Sequence, residues 1–358
     1  MSFIDPARKV RKGEELDLPR VGDYLKKNVP GLTGELVIEQ FPSGHSNLTY
    51  LLRVGETELV LRRPPFGAKD IKAGHDMSRE YRILSKLCKV YSPAPKPLAY
   101  CEDASVMGAP FYVMERKKGI ILRKDLPEGM EINPAMMRRL SFSLIDNLAA
   151  IHAIDWAAIG LQDIGKPEGF LLRQVEGWAD RYERAKTDEI PEVGPVVKWC
   201  RENVPESPAA TIIHNDYKFD NVVLDPNDLT RIIGVLDWEM STIGDPLLDL
   251  GVAISYWLRD GDPEELMMVR MLPTNLEGSP TRREIVDYYA EKTGRDISRI
   301  NFYFAFALFK LAVIVQQIYY RFAKGYTQDP RFAIMGMGAM ILIQQAAKVI
   351  EKGSIEFK

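Results

Sequence analysis

The sequence predicts an α+β fold in two lobes: a β-rich lobe over residues 1–116, then a mainly helical lobe over residues 117–358. Three observations carry this. Between Glu35 and Arg116, short runs rich in β-branched and aromatic residues alternate with turn residues, and a single helical pattern interrupts them. After Lys117-Lys118-Gly119, apolar residues recur mainly at three- and four-residue spacing. One short strand-rich island, Thr211–Trp238, breaks the helices and carries most of the polar chemistry.

The elements follow in order. Asp17–Asn28 reads as a helix. Leu36–Phe41, Thr49–Val54 and Glu58–Arg62 read as strands, and Gly55-Glu56 is a tight hairpin turn. Met77, Tyr81, Leu84 and Cys88 share one face of a helix over Asp76–Cys88. Pro97–Cys101 and Phe111–Arg116 complete a set of five strands with one helix. In the second lobe, Pro134–Ile154 and Arg173–Lys186 are helices, Pro134 being suited to a first turn. Asp245-Pro246 reads as an N-cap with proline in the first turn, opening a helix to about Trp257. Ile300–Arg321 is a long apolar helix, too short in its uninterrupted run for a membrane span and so a core helix. Met335, Met337 and Met340, in an apolar stretch, are expected to pack in the core.

Composition excludes several classes. The formal charge of −3 gives no basic excess for nucleic acid or a membrane surface. Three dispersed cysteines form neither a disulfide framework nor a zinc pattern, and the start of the chain has no apolar leader, so a cytoplasmic protein is expected. Four scattered histidines and the absence of Gly-x-Ser-x-Gly and P-loop motifs remove zinc hydrolases, the common serine hydrolases and P-loop enzymes.

The island carries a positive signal. Thr211–Ile213 is a strand, His214–Asn221 a polar loop, and Val222–Leu224 with Arg231–Leu236 a hairpin that can return Asp237 beside Asn221. Phosphoryl transfer needs a carboxylate to orient and deprotonate a hydroxyl, and oxygen ligands for Mg²⁺. Asp216 suits the first role, Asn221 and Asp237 the second, in the His-x-Asp-x-x-x-x-Asn spacing of kinases. Lys218 stands where protein kinases carry a lysine near the transferring phosphate, and His214 is expected to brace the loop. Asp245 comes only eight residues after Asp237, which leaves little room for a long activation segment and favours a small-molecule acceptor.

The sequence resembles the aminoglycoside phosphotransferase (choline kinase-like) family of small-molecule kinases. Asp237-Trp238-Glu239 and Gly244-Asp245-Pro246-Leu247-Leu248-Asp249 carry the resemblance, which extends roughly over residues 35–330. Lys166-Pro167-Glu168-Gly169-Phe170, Arg173-Gln174-Val175, Trp178 and Gln316–Arg321 make it most similar to the kinase-like domain fused to acyl-CoA dehydrogenases in some animal proteins. The resemblance implies a bilobal protein-kinase-like fold with a five-stranded antiparallel sheet, and ATP or GTP with Mg²⁺ as cofactors. It implies a phosphate loop at Ser43, Gly44, Ser46 and Asn47, and base contacts to backbone near Glu115. Arg62, with Glu80 to orient it, would replace the phosphate-binding lysine of protein kinases, and Arg63 on the opposite face is expected in solvent. Asp249 is expected to brace the catalytic loop.

On the substrate side, Tyr303, Lys310, Gln317 and Arg321 share one helical face. Either they line a pocket for an anionic hydroxy acid or hydroxyacyl-CoA, or they are paired internally. Trp178 and Tyr256 are further candidates by family position. The alternatives are an aminoglycoside-type antibiotic kinase and a non-catalytic nucleotide-binding protein of kinase shape.

Overall fold

The computed structural model describes residues 3–42, 47–66, 76–207 and 210–357. The chain forms two compact units assembled from non-contiguous segments. The first takes Met1–Ile121, Ala157–Ile164 and Asn221–Met240; the second takes Leu122–Trp156, Gly165–Asp220 and Ser241–Lys358.

The first unit opens with helix α1 (Leu18–Asn28), whose Asp17 cap accepts from the Arg20 amide. Strands β1 (Leu36–Gln40), β2 (Leu48–Val54) and β3 (Thr57–Arg63) follow. Helix α2 (Met77–Leu87), strand β4 (Pro97–Cys101), the single turn α3 (Ala104–Met107) and strand β5 (Phe111–Glu115) come next. The five strands form one antiparallel sheet in the order β1-β2-β3-β5-β4. Val54 pairs with Thr57, so Gly55-Glu56 is a two-residue turn. Gly55 is left-handed at φ 57°, and a Cβ there would lie 2.6 Å from the Thr33 carbonyl oxygen, so only glycine fits without a shift.

Strand alternation sorts the side chains. Tyr50, Leu52, Leu59, Leu61, Phe111 and Val113 share a face and form one buried cluster with Val21 and Leu25 of α1. Arg63 has the parity of Leu59 and Leu61, so it lies on this face; Arg62 lies on the other, with Glu80 of α2. The two arginines do point oppositely, but Arg63 is 2% exposed and not in solvent. Its Nη1 donates to the Met107 carbonyl at 3.0 Å, and its guanidinium stacks 3.7 Å from the Phe66 ring centroid. The expectation of exposure fails because this face of the sheet is covered.

The second unit is helical: α4 (Pro134–His152), α5 (Phe170–Ala185) and α6 (Val193–Glu202) precede the short strand β6 (Thr211–Ile213). The chain then re-enters the first unit as the hairpin β7 (Val222–Asp225) and β8 (Asp228–Val235). Backbone bonds fix it there: Ile120 and Leu224 exchange N–H···O bonds of 2.9 and 2.8 Å, and the Val235 N–H donates to Pro93 O at 2.9 Å. Gly119 permits this approach, since a Cβ would fall 2.3 Å from Leu224 O.

Strand β9 (Thr242–Gly244) pairs with β6, and then come α7 (Pro246–Ser255), α8 (Glu264–Met268), α9 (Arg282–Thr293), α10 (Ile300–Ala323) and α11 (Met335–Lys352). Asp245 caps α7 by accepting from the Leu247 amide at 2.8 Å, with Pro246 in the first turn. By length and composition, α10 and the segment Pro330–Lys352 could each cross a membrane. In α10, 67% of the apolar window is nevertheless buried inside the protein. Met337 and Met340 are 49% and 40% exposed, contrary to the core placement expected of them. Helix α11 buries Gly338, Ala339, Ile341 and Leu342, which leaves positions 337 and 340 on its outer face.

Candidate active site

In the first unit, Arg62 is the centre of a buried charge network. Its Nη1 donates to Glu80 Oε1 at 3.0 Å, and its Nη2 to Asp237 Oδ1 at 2.9 Å and Glu239 Oε2 at 3.2 Å. Asn47 Nδ2 donates to the same Glu239 oxygen at 2.5 Å. Glu80 Oε1 also accepts the Trp238 amide at 3.0 Å, which ties the Asp237-Trp238-Glu239 turn to α2. Trp238 is itself fully buried, with its indole N–H on Val235 O and its ring edge-on to Tyr91. Burial opposes the charge on Arg62, but Glu80, Asp237 and Glu239 outweigh it and hold the guanidinium well above its ordinary pKa. Burial, with Asp237 adding to it, raises the Glu80 carboxyl against the pull of Arg62.

The hairpin brings the two predicted metal ligands together. Val222 pairs with Val235, and the Leu236 N–H donates to Asn221 O at 2.8 Å, so Asp237 follows directly on the residue facing Asn221. Among the described residues, no three His, Cys, Asp or Glu side chains are grouped to hold a metal. That is compatible with Mg²⁺, which takes one or two protein oxygens and completes its octahedron with water and phosphate. The hard oxygen donors of Asn221, Asp237 and the adjacent Glu239 fit that ion. Asp237 is left-handed, at φ 67°, one of two non-glycine residues with positive φ among those described; the other is Asn215. Such strained positions concentrate at functional sites.

Glu115 ends β5 and is tied to β4: its N–H donates to Lys96 O, its carboxylate accepts the Lys96 N–H, and Lys117 pairs with it at 2.7 Å. A base contact through backbone N–H would therefore fall to the residues after Glu115. Ser43, Gly44 and Ser46 lie outside the described residues.

In the second unit, Asp216 is held on both oxygens. Tyr256 Oη donates to Oδ1 at 3.0 Å, and Lys218 Nζ donates to Oδ2. Lys218 also lies 3.6 Å from Asp220 and 5.0 Å from the Tyr256 ring centroid. Burial pulls the Lys218 pKa down, but Asp216, Tyr256 and Asp220 together hold it well above the ordinary lysine value. Burial and the Asp216 charge keep Tyr256 protonated far above the usual tyrosine range.

Asp249 anchors the start of this loop. It accepts the His214 amide at 2.7 Å and the Asn215 amide at 2.6 Å, and it bonds His152 Nε2 at 3.1 Å. The other His152 nitrogen bonds Tyr289 Oη at 2.6 Å. The brace thus runs through the His214 backbone, while its ring sits edge-on to Tyr217. Burial pushes Asp249 up, but His152 and His214 outweigh it and leave the carboxyl below its usual range. Its stabilising contribution is therefore complete above the ordinary carboxylate pKa and is lost as pH falls through the lowered value. Asp249→Ala leaves buried donors without an acceptor and is expected to cost about 3–5 kcal/mol. Thermal unfolding of the variant at neutral pH checks this.

Lys310 is buried, and its Nζ donates to Asn215 O at 2.7 Å and Asn215 Oδ1 at 2.6 Å. It lies 5.6 Å from the Trp178 ring centroid, and Arg181 stacks on the same ring at 4.4 Å. Tyr303 donates to Asp245 at 2.8 Å. Two members of the predicted polar stripe are thus paired internally. Gln317 is half-buried and Arg321 exposed, about 10 and 16 Å along α10 from Lys310. The structure gathers Asp216, Lys218, Tyr256, Lys310 and Trp178 in one unit, and Asn47, Arg62, Glu80, Asn221 and Asp237 in the other.

Sequence reasoning passed over Glu239 and His152. Glu239 stands two residues beyond Asp237 in the Asp-Trp-Glu turn, a spacing that could have marked it. The single histidine at the end of α4 carried no such mark.

Comparison with known proteins shows which family and fold the chain shares. The model of the phosphotransferase enzyme family matches residues 37–276. Acyl-CoA dehydrogenase family member 11 of Rattus norvegicus is 35% identical over 321 residues, covering 87% of this chain; the chain spans only 40% of that relative's length. A Ralstonia eutropha structure, named provisionally as an aminoglycoside phosphotransferase, superposes with a TM-score of 0.79 at 32% identity, covering 94% of this chain and 99% of the other. Choline kinase from Cryptosporidium parvum shares the fold with a TM-score of 0.65 at 13% identity, over 95% and 98% of the two chains. So does aminoglycoside phosphotransferase APH(4)-Ia, in a ternary complex with AMP-PNP and hygromycin B, at 0.56 and 18% over 91% and 98%. A kinase-like fold, a family match over two thirds of the sequence and a full-length structural relative give one result: the chain belongs to the phosphotransferase enzyme family.

Proposed function

We propose that the protein is a Mg²⁺-dependent phosphotransferase that moves the γ-phosphate of ATP, or GTP, to a hydroxyl of a small molecule. The observation that carries this reading is the Asp216 carboxylate, held on one oxygen by Tyr256 and on the other by Lys218. A carboxylate so held stays oriented while its remaining lone pairs can accept the proton of an acceptor hydroxyl. Lys218 keeps its charge and can offset that of the transferring phosphoryl group. Asn221 lies five residues further along the same loop and would hold Mg²⁺ with Asp237. Bound there, Mg²⁺ would supply charge neutralisation for the phosphates. Arg62 would bind phosphate oxygens with Glu80 keeping it in place; its Nε has no hydrogen-bond partner among the described residues.

The acceptor class we favour is anionic, a hydroxy acid or hydroxyacyl-CoA. Lys218 is paired with Asp216 and Asp220 and Lys310 is held by Asn215, so the cation on which this preference rests is Arg181, stacked over Trp178. A coupled assay of ADP release tests the reading over hydroxy acids, hydroxyacyl-CoAs, amino alcohols, sugars and aminoglycosides. The expected result is acceptor-dependent release that EDTA abolishes and Mg²⁺ restores. Release stimulated by aminoglycosides alone would replace the anionic acceptor with an antibiotic.

A further inference from the structure

The Asn215–Lys310 contact has a use that neither substrate binding nor fold stability accounts for. Asn215 is buried and left-handed, at φ 69°, immediately before Asp216. Asparagine tolerates this region better than most residues, yet it remains a strained choice. Three of its polar contacts hold that turn. The amide donates to Asp249, and both its carbonyl and its side-chain oxygen accept from Lys310 Nζ.

Lys310 comes from the middle of α10, the buried helix that packs against α5, α7 and α11. Among the described residues it makes no ion pair. Its Nζ contacts the two Asn215 oxygens and the Trp178 ring, and the charges it feels are Asp216, Asp249, Lys218 and Arg181. Burial pulls its pKa down to about 8 against the attraction of Asp216 and Asp249. An ammonium group buried against neutral acceptors is an expensive way to fill a core, where an apolar side chain of equal length would serve the fold better. Two of its three donors go to a single residue, and that residue sets the direction in which the next side chain leaves the backbone.

We propose that Lys310 is a positioning residue for Asp216: it clamps Asn215 in its left-handed conformation from the rigid α10 helix and so aims the Asp216 carboxylate. The clamp rests on the phosphotransferase reading only for its effect on turnover; its effect on the loop backbone is independent of that reading. Lys310 is not assigned to the acceptor, because Asn215 takes two of its three donors.

The test uses the full chain with MgATP as the probe and water as the acceptor, in four variants: Lys310→Met, Asn215→Gly, the double variant and Asp216→Asn. Glycine takes positive φ without a clamp. Lys310→Met is expected to lower kcat for MgATP turnover about tenfold to a hundredfold with KM retained. It should also speed hydrogen exchange of the amides from His214 to Lys218. Adding Asn215→Gly should recover most of both losses. Wild-type kcat and exchange in Lys310→Met would overturn the proposal, as would a double variant no better than the single one. Should Lys310→Met fail to fold, the double variant must fold; if both fail, the proposal is overturned. If Asp216→Asn turns over MgATP like the wild type, the phosphotransferase reading fails, and the exchange measurements still decide the clamp.

Discussion

Replacing Asp216 by asparagine is expected to lower acceptor phosphorylation by about 10²–10⁴-fold, the range that a positioned general base supplies. The substitution keeps the size of the side chain and removes its basicity. It also places an amide where Lys218 and Tyr256 now donate to two carboxylate oxygens. One amide oxygen cannot accept both as before, so the side chain must rotate toward one partner and loosen from the other. The proposed nucleotide set of Arg62, Glu80, Asn221 and Asp237 is unchanged in composition, so MgATP binding by calorimetry should be kept. A variant with wild-type turnover would remove Asp216 from the chemistry.

The second large effect falls on Arg62. Its guanidinium bridges Glu80, Asp237 and Glu239. Arg62→Met leaves three carboxylates near one another with nothing between them, and one of them, Glu80, is fully buried. Breaking a buried pair by removing one partner costs about 3–5 kcal/mol. The variant should therefore melt well below the wild type in EDTA. Mg²⁺ offers an alternative cation to Asp237 and Glu239, so millimolar Mg²⁺ should stabilise the variant more than the wild type, by mass action on the folded state. Arg62→Lys retains a charge without the fork and should fall between the two. Thermal unfolding of the three proteins with EDTA and with Mg²⁺ checks this. An Arg62→Met protein as stable as the wild type in EDTA would show that the network does not hold the first unit together.

Local signals in the sequence were enough to place most of the fold. The period-two strands, the Gly55-Glu56 turn, the helix from Asp76, the Asp245 cap and the hairpin after Asn221 depend on neighbouring residues, and the structure forms them within a few positions. The Arg62–Glu80 pair was expected from the family resemblance, as the counterpart of the kinase Lys–Glu pair, and the structure forms it. What escaped depended on distant cover. Arg63 was placed on the correct face, but nothing local announces that α1 and α3 enclose that face. Met337 and Met340 look like core residues until the packing of α11 decides which side is buried. The β6–β9 pairing escaped because β9, Thr242–Gly244, is three residues long and too short to signal by itself, whereas β6 was read. Lys310 was singled out by its place on an apolar helix, and only the Asn215 contact shows what it touches. Glu239 joins Arg62 through a turn whose geometry no periodicity reveals.

The central claim is that this chain transfers a phosphoryl group to a small-molecule hydroxyl through Asp216. The most direct measurement is the mass of the acceptor recovered after incubation with MgATP, counted against the ADP formed. The account predicts one phosphoryl group gained on a hydroxyl for each ADP released by the wild type, and little or none from Asp216→Asn. ADP formed only with free phosphate across all acceptor classes, or equal transfer by Asp216→Asn, would contradict it.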